Sequence, residues 1–134
     1  AFLFFLYGYV TAWMALLSRA PGSRAGVDLG FLDTWGHTPQ SQAYVLENIL
    51  MFLPFGVLWP QMWGRAKNWK VCLISGTAVS LGIEAIQFLT QRGHCQTDDV
   101  IMNGAGTLFG WLLYTFLSTF RRKRRHWEHE KIRH

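Results

Sequence analysis

Acidic residues and cysteines are both scarce in this chain. Of its 134 residues only eight are Asp or Glu, against thirteen Lys and Arg, and only two are Cys. Two cysteines do not make a disulfide framework. Cys72 opens one apolar segment and Cys95 follows its far end, so a segment that crosses a bilayer holds the two thiols too far apart to bond. Cys/His spacings typical of zinc are missing, and no Ser or Cys nucleophile stands beside a His at a recognisable spacing. No cofactor and no metal is therefore expected, the weak grouping of Glu84, Asp98, Asp99 and His94 notwithstanding. The first residue is Ala1, not Met, and we expect the native chain to extend upstream.

What the chain has instead is apolar length. Half of it is hydrophobic, with ten Phe and seven Trp, although polar loops hold the mean hydropathy at +0.10. Crossing about 30 Å of hydrocarbon takes about 20 residues of helix. Four segments approach that length: Phe2 to Leu17, Val45 to Trp63, Val71 to Leu89 and Val100 to Phe120. The expected fold is an all-α membrane protein, four transmembrane helices in one compact bundle over residues 1–120, followed by a basic tail at 121–134. Pro54 should kink the second span, because it removes a backbone donor and clashes one turn earlier. Gly and Pro between Arg19 and Gln42 mark an outer loop. Its apolar stretch around Asp28 to Trp35 is expected to dip into the membrane interface, where Trp is common.

Charge sets the expected orientation. Arg65, Lys67 and Lys70 connect spans two and three, and Arg121, Arg122, Lys123, Arg124, Arg125, Lys131 and Arg133 follow span four. Only Arg19, Arg24 and Arg92 lie on the other side. Basic residues stay inside, so both termini are expected in the cytoplasm. The tail is read as a topology anchor that also attracts anionic membrane lipid, not as a nucleic-acid site.

Polar groups inside the apolar segments carry the functional signal. Glu84 and Gln87 lie within the third span, Glu47 and Asn48 open the second, and Asp98, Asp99 and Asn103 open the fourth. A charge at the bilayer centre costs at least ~2.5 kcal/mol, and such residues mark functional sites by default. On span three Gly76, Ser80, Glu84 and Gln87 form one helical stripe. On span four Asp99, Asn103, Gly106 and Gly110 share a face. If these faces turn inward, Glu47/Asn48, Glu84/Gln87 and Asp99/Asn103 converge beneath the outer surface. The connection Thr90 to Thr97, with Arg92 and His94, would close over them. A carboxylate in such a pocket suits general acid or base work, which makes Glu84 and Asp99 the catalytic candidates if there is catalysis. Arg92 suits a phosphate or carboxylate. The plainer reading is structural. Gln87 and Asn103 can serve as hydrogen-bonding glue between helices, and one of Asp98 and Asp99 can cap span four. Glue averages only ~0.6 kcal/mol per bond, a weak reason to insert Glu84. Gly106 and Gly110 are a small-xxx-small pair that lets another helix approach, which also offers a face for homo-oligomers or a partner.

These residues carry a resemblance. Leu46-Glu47-Asn48-Ile49-Leu50-Met51-Phe52-Leu53-Pro54-Phe55-Gly56 resembles the ENxLxFxPFG signature of the VanZ-like membrane protein family. Ser80-Leu81-Gly82-Ile83-Glu84-Ala85-Ile86-Gln87 is similar to its SxxIExxQ segment. Asp98-Asp99-Val100-Ile101-Met102-Asn103-Gly104-Ala105-Gly106, with Gly110 beyond, is similar to its DDxxxNxxGxxxG segment. Arg92 and Gln96 depart from the family's RxxDxDD pattern: the arginine stands one residue too far upstream and a glutamine replaces an aspartate. The resemblance implies a bacterial integral membrane protein, whose family namesake is associated with teicoplanin resistance. The expectation is then an outward-facing intramembrane pocket that binds an amphiphile, either a lipoglycopeptide or a lipid-linked cell-wall intermediate. Glu47, Asn48, Glu84, Gln87, Arg92, Asp98, Asp99 and Asn103 would form it. The alternatives are an intramembrane hydrolase or transferase on a lipid-linked envelope substrate, and an assembly module for wall enzymes.

Overall fold

A computed structural model describes residues 1–17, 27–28, 39–92 and 95–133, with backbone alone at 27–28, 40–41, 95–96 and 125–133. Helix α1, Phe2–Ala12, runs into a π-helical turn at Trp13–Leu17. Helix α2 is Pro39–Met62, α3 is Trp69–Thr90 and α4 is Thr97–Arg133. Pro39 opens α2, where a missing N–H costs nothing, and a 3₁₀ turn at Gly64–Lys67 links α2 to α3. Asn68 caps α3, its side-chain oxygen accepting from the Lys70 amide at 3.0 Å. At the other end Gln91 turns left-handed with φ 51°, and the Arg92 amide donates back to the Gln87 carbonyl at 3.1 Å. That closure ends α3 and redirects the chain.

Gln42–Met62, Trp69–Thr90 and Thr97–Arg124 are long and apolar enough to cross a membrane. The first expected span is the shorter apolar helix Phe2–Leu17. Its 11 α-helical and 5 π-helical residues rise about 24 Å at most, against about 30 Å of hydrocarbon. Helix α4 continues through the basic segment after Phe120 to Arg133. The outer loop expected between Arg19 and Gln42 lies mostly outside the described residues. Its Val27 and Asp28 pair in parallel with Cys95 and Gln96, which ties the α1–α2 connection to the α3–α4 connection.

The packing is inverted relative to a water-soluble domain. Phe2, Phe5, Tyr9, Leu50, Ile74, Leu81, Phe88, Leu89, Phe109 and Phe116 are exposed, while Thr11, Ser80, Glu84, Gln87, Asp98, Asn103 and Thr107 are buried. Apolar surface of that extent suits lipid. Helices α2 and α4 make the closest pair, and glycine permits it. A Cβ on Gly56 would meet the Thr107 carbonyl and stand 2.9 Å from the Gly110 Cα. A Cβ on Gly106 or Gly110 would strike the Ile49 or Leu53 carbonyl. The Gly106/Gly110 face thus packs against α2 of the same chain. Helix α3 joins the pair where Thr107 sits on Gly76. Helix α1 packs on α2 through rings: Phe4 stacks on Trp59 with centroids 5.3 Å apart, and Trp59 on Phe55 at 5.6 Å.

Candidate functional site

Antiparallel succession brings the starts of α2 and α4 and the end of α3 to one end of the bundle, and with them the polar residues of all three. Asn48 and Asp99 meet directly. The Asn48 Nδ2 donates to Asp99 Oδ1 at 2.7 Å. One turn further in, Asn103 Nδ2 donates to Ser80 Oγ at 2.8 Å, joining α4 to α3. Asn103 is 2 % exposed, and its Oδ1 has no partner among the described residues. Thr107 continues the line, its hydroxyl donating to the Asn103 carbonyl at 2.9 Å. Glu84 and Asp98 are each 4 % exposed, so both carboxyls belong to the interior of this end. Among the described residues no three His, Cys, Asp or Glu side chains come together as a metal-ligand set. His94 lies outside the described residues.

Two of the expected ligand contacts bond the protein itself. Gln87 Nε2 donates to the Ala15 carbonyl at 2.9 Å, and Arg92 Nη1 donates to the Leu16 carbonyl at 2.9 Å. Both acceptors belong to the final turn of the first helix, whose last carbonyls have no intrahelical donor. A cation there also meets the negative end of the helix dipole. Gln87 and Arg92 therefore dock α1 onto the bundle. Sequence reasoning assigned α1 no part in the site, and its apolar composition gave no sign of one.

Glu47 does not converge with the others. It is exposed, because Asn48 faces α4 and one residue on a helix is about 100° of rotation. Glu47 instead lines a groove of about 560 Å³ between α1 and α2. Val10, Met14, Leu46, Leu50 and Met51 supply apolar walls, and Glu47 is the carboxylate among the lining residues. The groove is crossed at its inner end by a bond from the Tyr7 hydroxyl to the Met51 carbonyl, 2.8 Å long.

A family model described as VanZ/LLP1 matches residues 4–118. No curated protein matches the chain, and no solved structure does.

Proposed function

Because the chain belongs to the VanZ/LLP1 family, as its match over residues 4–118 establishes, we propose that it works at the outer face of the bacterial cytoplasmic membrane by binding an amphiphile. In this reading both termini lie in the cytoplasm, on the basic side, and α2 bends at Pro54. The amphiphile is the acyl-bearing end of a lipoglycopeptide such as teicoplanin or a lipid-linked wall intermediate. Its capture lowers sensitivity to the antibiotic.

The observation that carries the reading is the α1–α2 groove with its single lining carboxylate, Glu47. Apolar walls with a few placed polar groups are what small-molecule sites share. An acyl chain fits the walls formed by Val10, Met14, Leu46 and Leu50. Glu47 at the rim favours a head group that brings an ammonium or hydroxyl donor. Asn48 and Asp99, joined next to it, hold the rim in place. Glu84 and Asp98, buried behind them, keep that end polar.

The test is teicoplanin and vancomycin susceptibility of a sensitive bacterium expressing the full protein, with membrane abundance checked. Protection against teicoplanin should disappear in Leu50→Trp, which plugs the groove, and weaken in Glu47→Gln and Glu84→Gln. Equal protection against both drugs would move the target to the shared wall precursor. Protection against neither would remove the resistance role.

A further inference from the structure

The opposite end of the bundle has a second cavity, of about 470 Å³, between the end of α2, the 3₁₀ turn and residues 114–122 of α4. Lys67, Arg121 and Arg122 line it, with Gln61, Ser118 and Tyr114, and among the described residues no acidic one does. Val57 and Leu117 form its apolar part. The placement follows from helix length. Helix α3 crosses in 22 residues, and an equal length of α4 counted from Thr97 ends at Ser118. Arg121 and Arg122 then emerge where hydrocarbon gives way to head groups. The turn that brings Lys67 to the same level is fixed to α4, since Trp111 Nε1 donates to the Lys67 carbonyl at 3.1 Å.

We propose that this cavity, formed by Lys67, Arg121 and Arg122 above Val57 and Leu117, is a binding site for the phosphodiester head group of an anionic lipid. Three cations suit a phosphate, and two guanidinium groups offer it paired donors. The apolar side takes the start of the acyl chains, which a free phosphate lacks. Ser118 already donates to the Thr115 carbonyl at 2.9 Å, so its oxygen faces the site as an acceptor for a head-group hydroxyl. Basic pockets between helices on the cytoplasmic side are the sequence-readable form of lipid recognition. Arg65 and Lys123 carry the same charge nearby but do not line the cavity, which separates a site from a diffuse positive field. The inference rests on α2, α3 and α4 spanning the membrane and is independent of the outer groove.

Native mass spectrometry of the purified full chain with phosphatidylglycerol, phosphatidylcholine and inorganic phosphate tests it. Phosphatidylglycerol should bind more tightly than phosphatidylcholine. Lys67→Gln/Arg121→Gln should weaken it about thirtyfold, from roughly fivefold per basic residue at an anionic surface. Arg65→Gln/Lys123→Gln removes the same charge and should leave binding in place. Ser118→Trp fills the cavity at constant charge, should abolish the preference, and decides the matter if the charge variant does not fold. Leu50→Trp in the outer groove should have no effect here. Equal loss in both double variants, no preference over phosphatidylcholine, or displacement by inorganic phosphate as potent as by lipid would each overturn the proposal.

Discussion

The amide of Asn48 on α2 donates to the carboxylate of Asp99 on α4 over 2.7 Å, joining two residues 51 positions apart. Asp99 stands in the first turn of α4 and Asn48 in the first half of α2, so the bond fastens one end of the closest helix pair in the fold. Below it the glycine contacts take over. A double-mutant cycle of Asn48→Ala and Asp99→Ala, read by unfolding in mixed micelles, should give a coupling of about 0.6 to 1.7 kcal/mol, the range for hydrogen bonds between membrane helices. Glu47→Ala, one residue away but exposed in the groove, should couple to Asp99→Ala by nearly zero. A Glu47 coupling as large as that of Asn48 would mean that the rim is one shared network.

Glycines in this chain should divide sharply by position. An added methyl on Gly56, Gly106 or Gly110 runs into the backbone of the facing helix, whereas Gly8 and Gly82 have nothing within 4 Å of theirs. Gly56→Ala and Gly106→Ala should each cost about 1–3 kcal/mol through forced backbone separation. Gly82→Ala should stabilise by about 0.5–1 kcal/mol, because it only removes backbone freedom in mid-helix. Thermal unfolding in one detergent compares all three. Equal effects would show that α2 and α4 do not cross as closely as their glycines allow.

The sequence made some of this legible and hid the rest for a physical reason. Apolar runs set by hydrocarbon thickness show through directly, so α3 begins and ends near its expected limits, α2 ends near Trp63 and α4 begins near Val100. The Gly106/Gly110 pair likewise announced a close helix contact, though not that α2 would fill it. The Asn48–Asp99 and Ser80–Asn103 bonds follow from turning the polar stripes inward. Glu47 escaped that logic, because neighbouring residues on a helix face different directions and its motif partner Asn48 took the inward one. The docking of α1 was invisible for another reason. Gln87 and Arg92 bond to backbone carbonyls, and every residue type carries one.

That docking has its own consequence. Removing the side-chain donors leaves the Ala15 and Leu16 carbonyls to find other partners in an apolar setting, a loss of about 1 kcal/mol per bond. Gln87→Leu and Arg92→Ala should each speed hydrogen exchange in Trp13–Leu17 while leaving exchange at the α2–α4 crossing unchanged. Arg92→Lys should restore part of the protection, since it keeps a cation at the end of the first helix. Exchange that rises throughout the bundle would assign these residues to global stability instead.

The bond from Tyr7 to Met51 bears on Pro54. Proline 54 has no N–H for the Leu50 carbonyl, and its ring crowds that turn, which is also the turn that contains Met51. In a membrane a disturbed helix persists only where neighbours satisfy the backbone groups it frees. Tyr7 stands beside that turn, its hydroxyl 2.8 Å from the Met51 carbonyl, one residue on from the carbonyl that Pro54 leaves without an N–H. Tyr7→Phe removes only that hydroxyl and should cost about 0.6–1 kcal/mol. If the proline is what turns the carbonyl outward, the penalty should shrink markedly in a Pro54→Ala background, where α2 regains its bond and closes the turn. The cycle is read by unfolding of the four variants in the same micelles. An undiminished penalty in the alanine background would show that Tyr7 holds α1 on α2 whether or not the helix is disturbed, and the groove beside it would then owe its width to α1 alone.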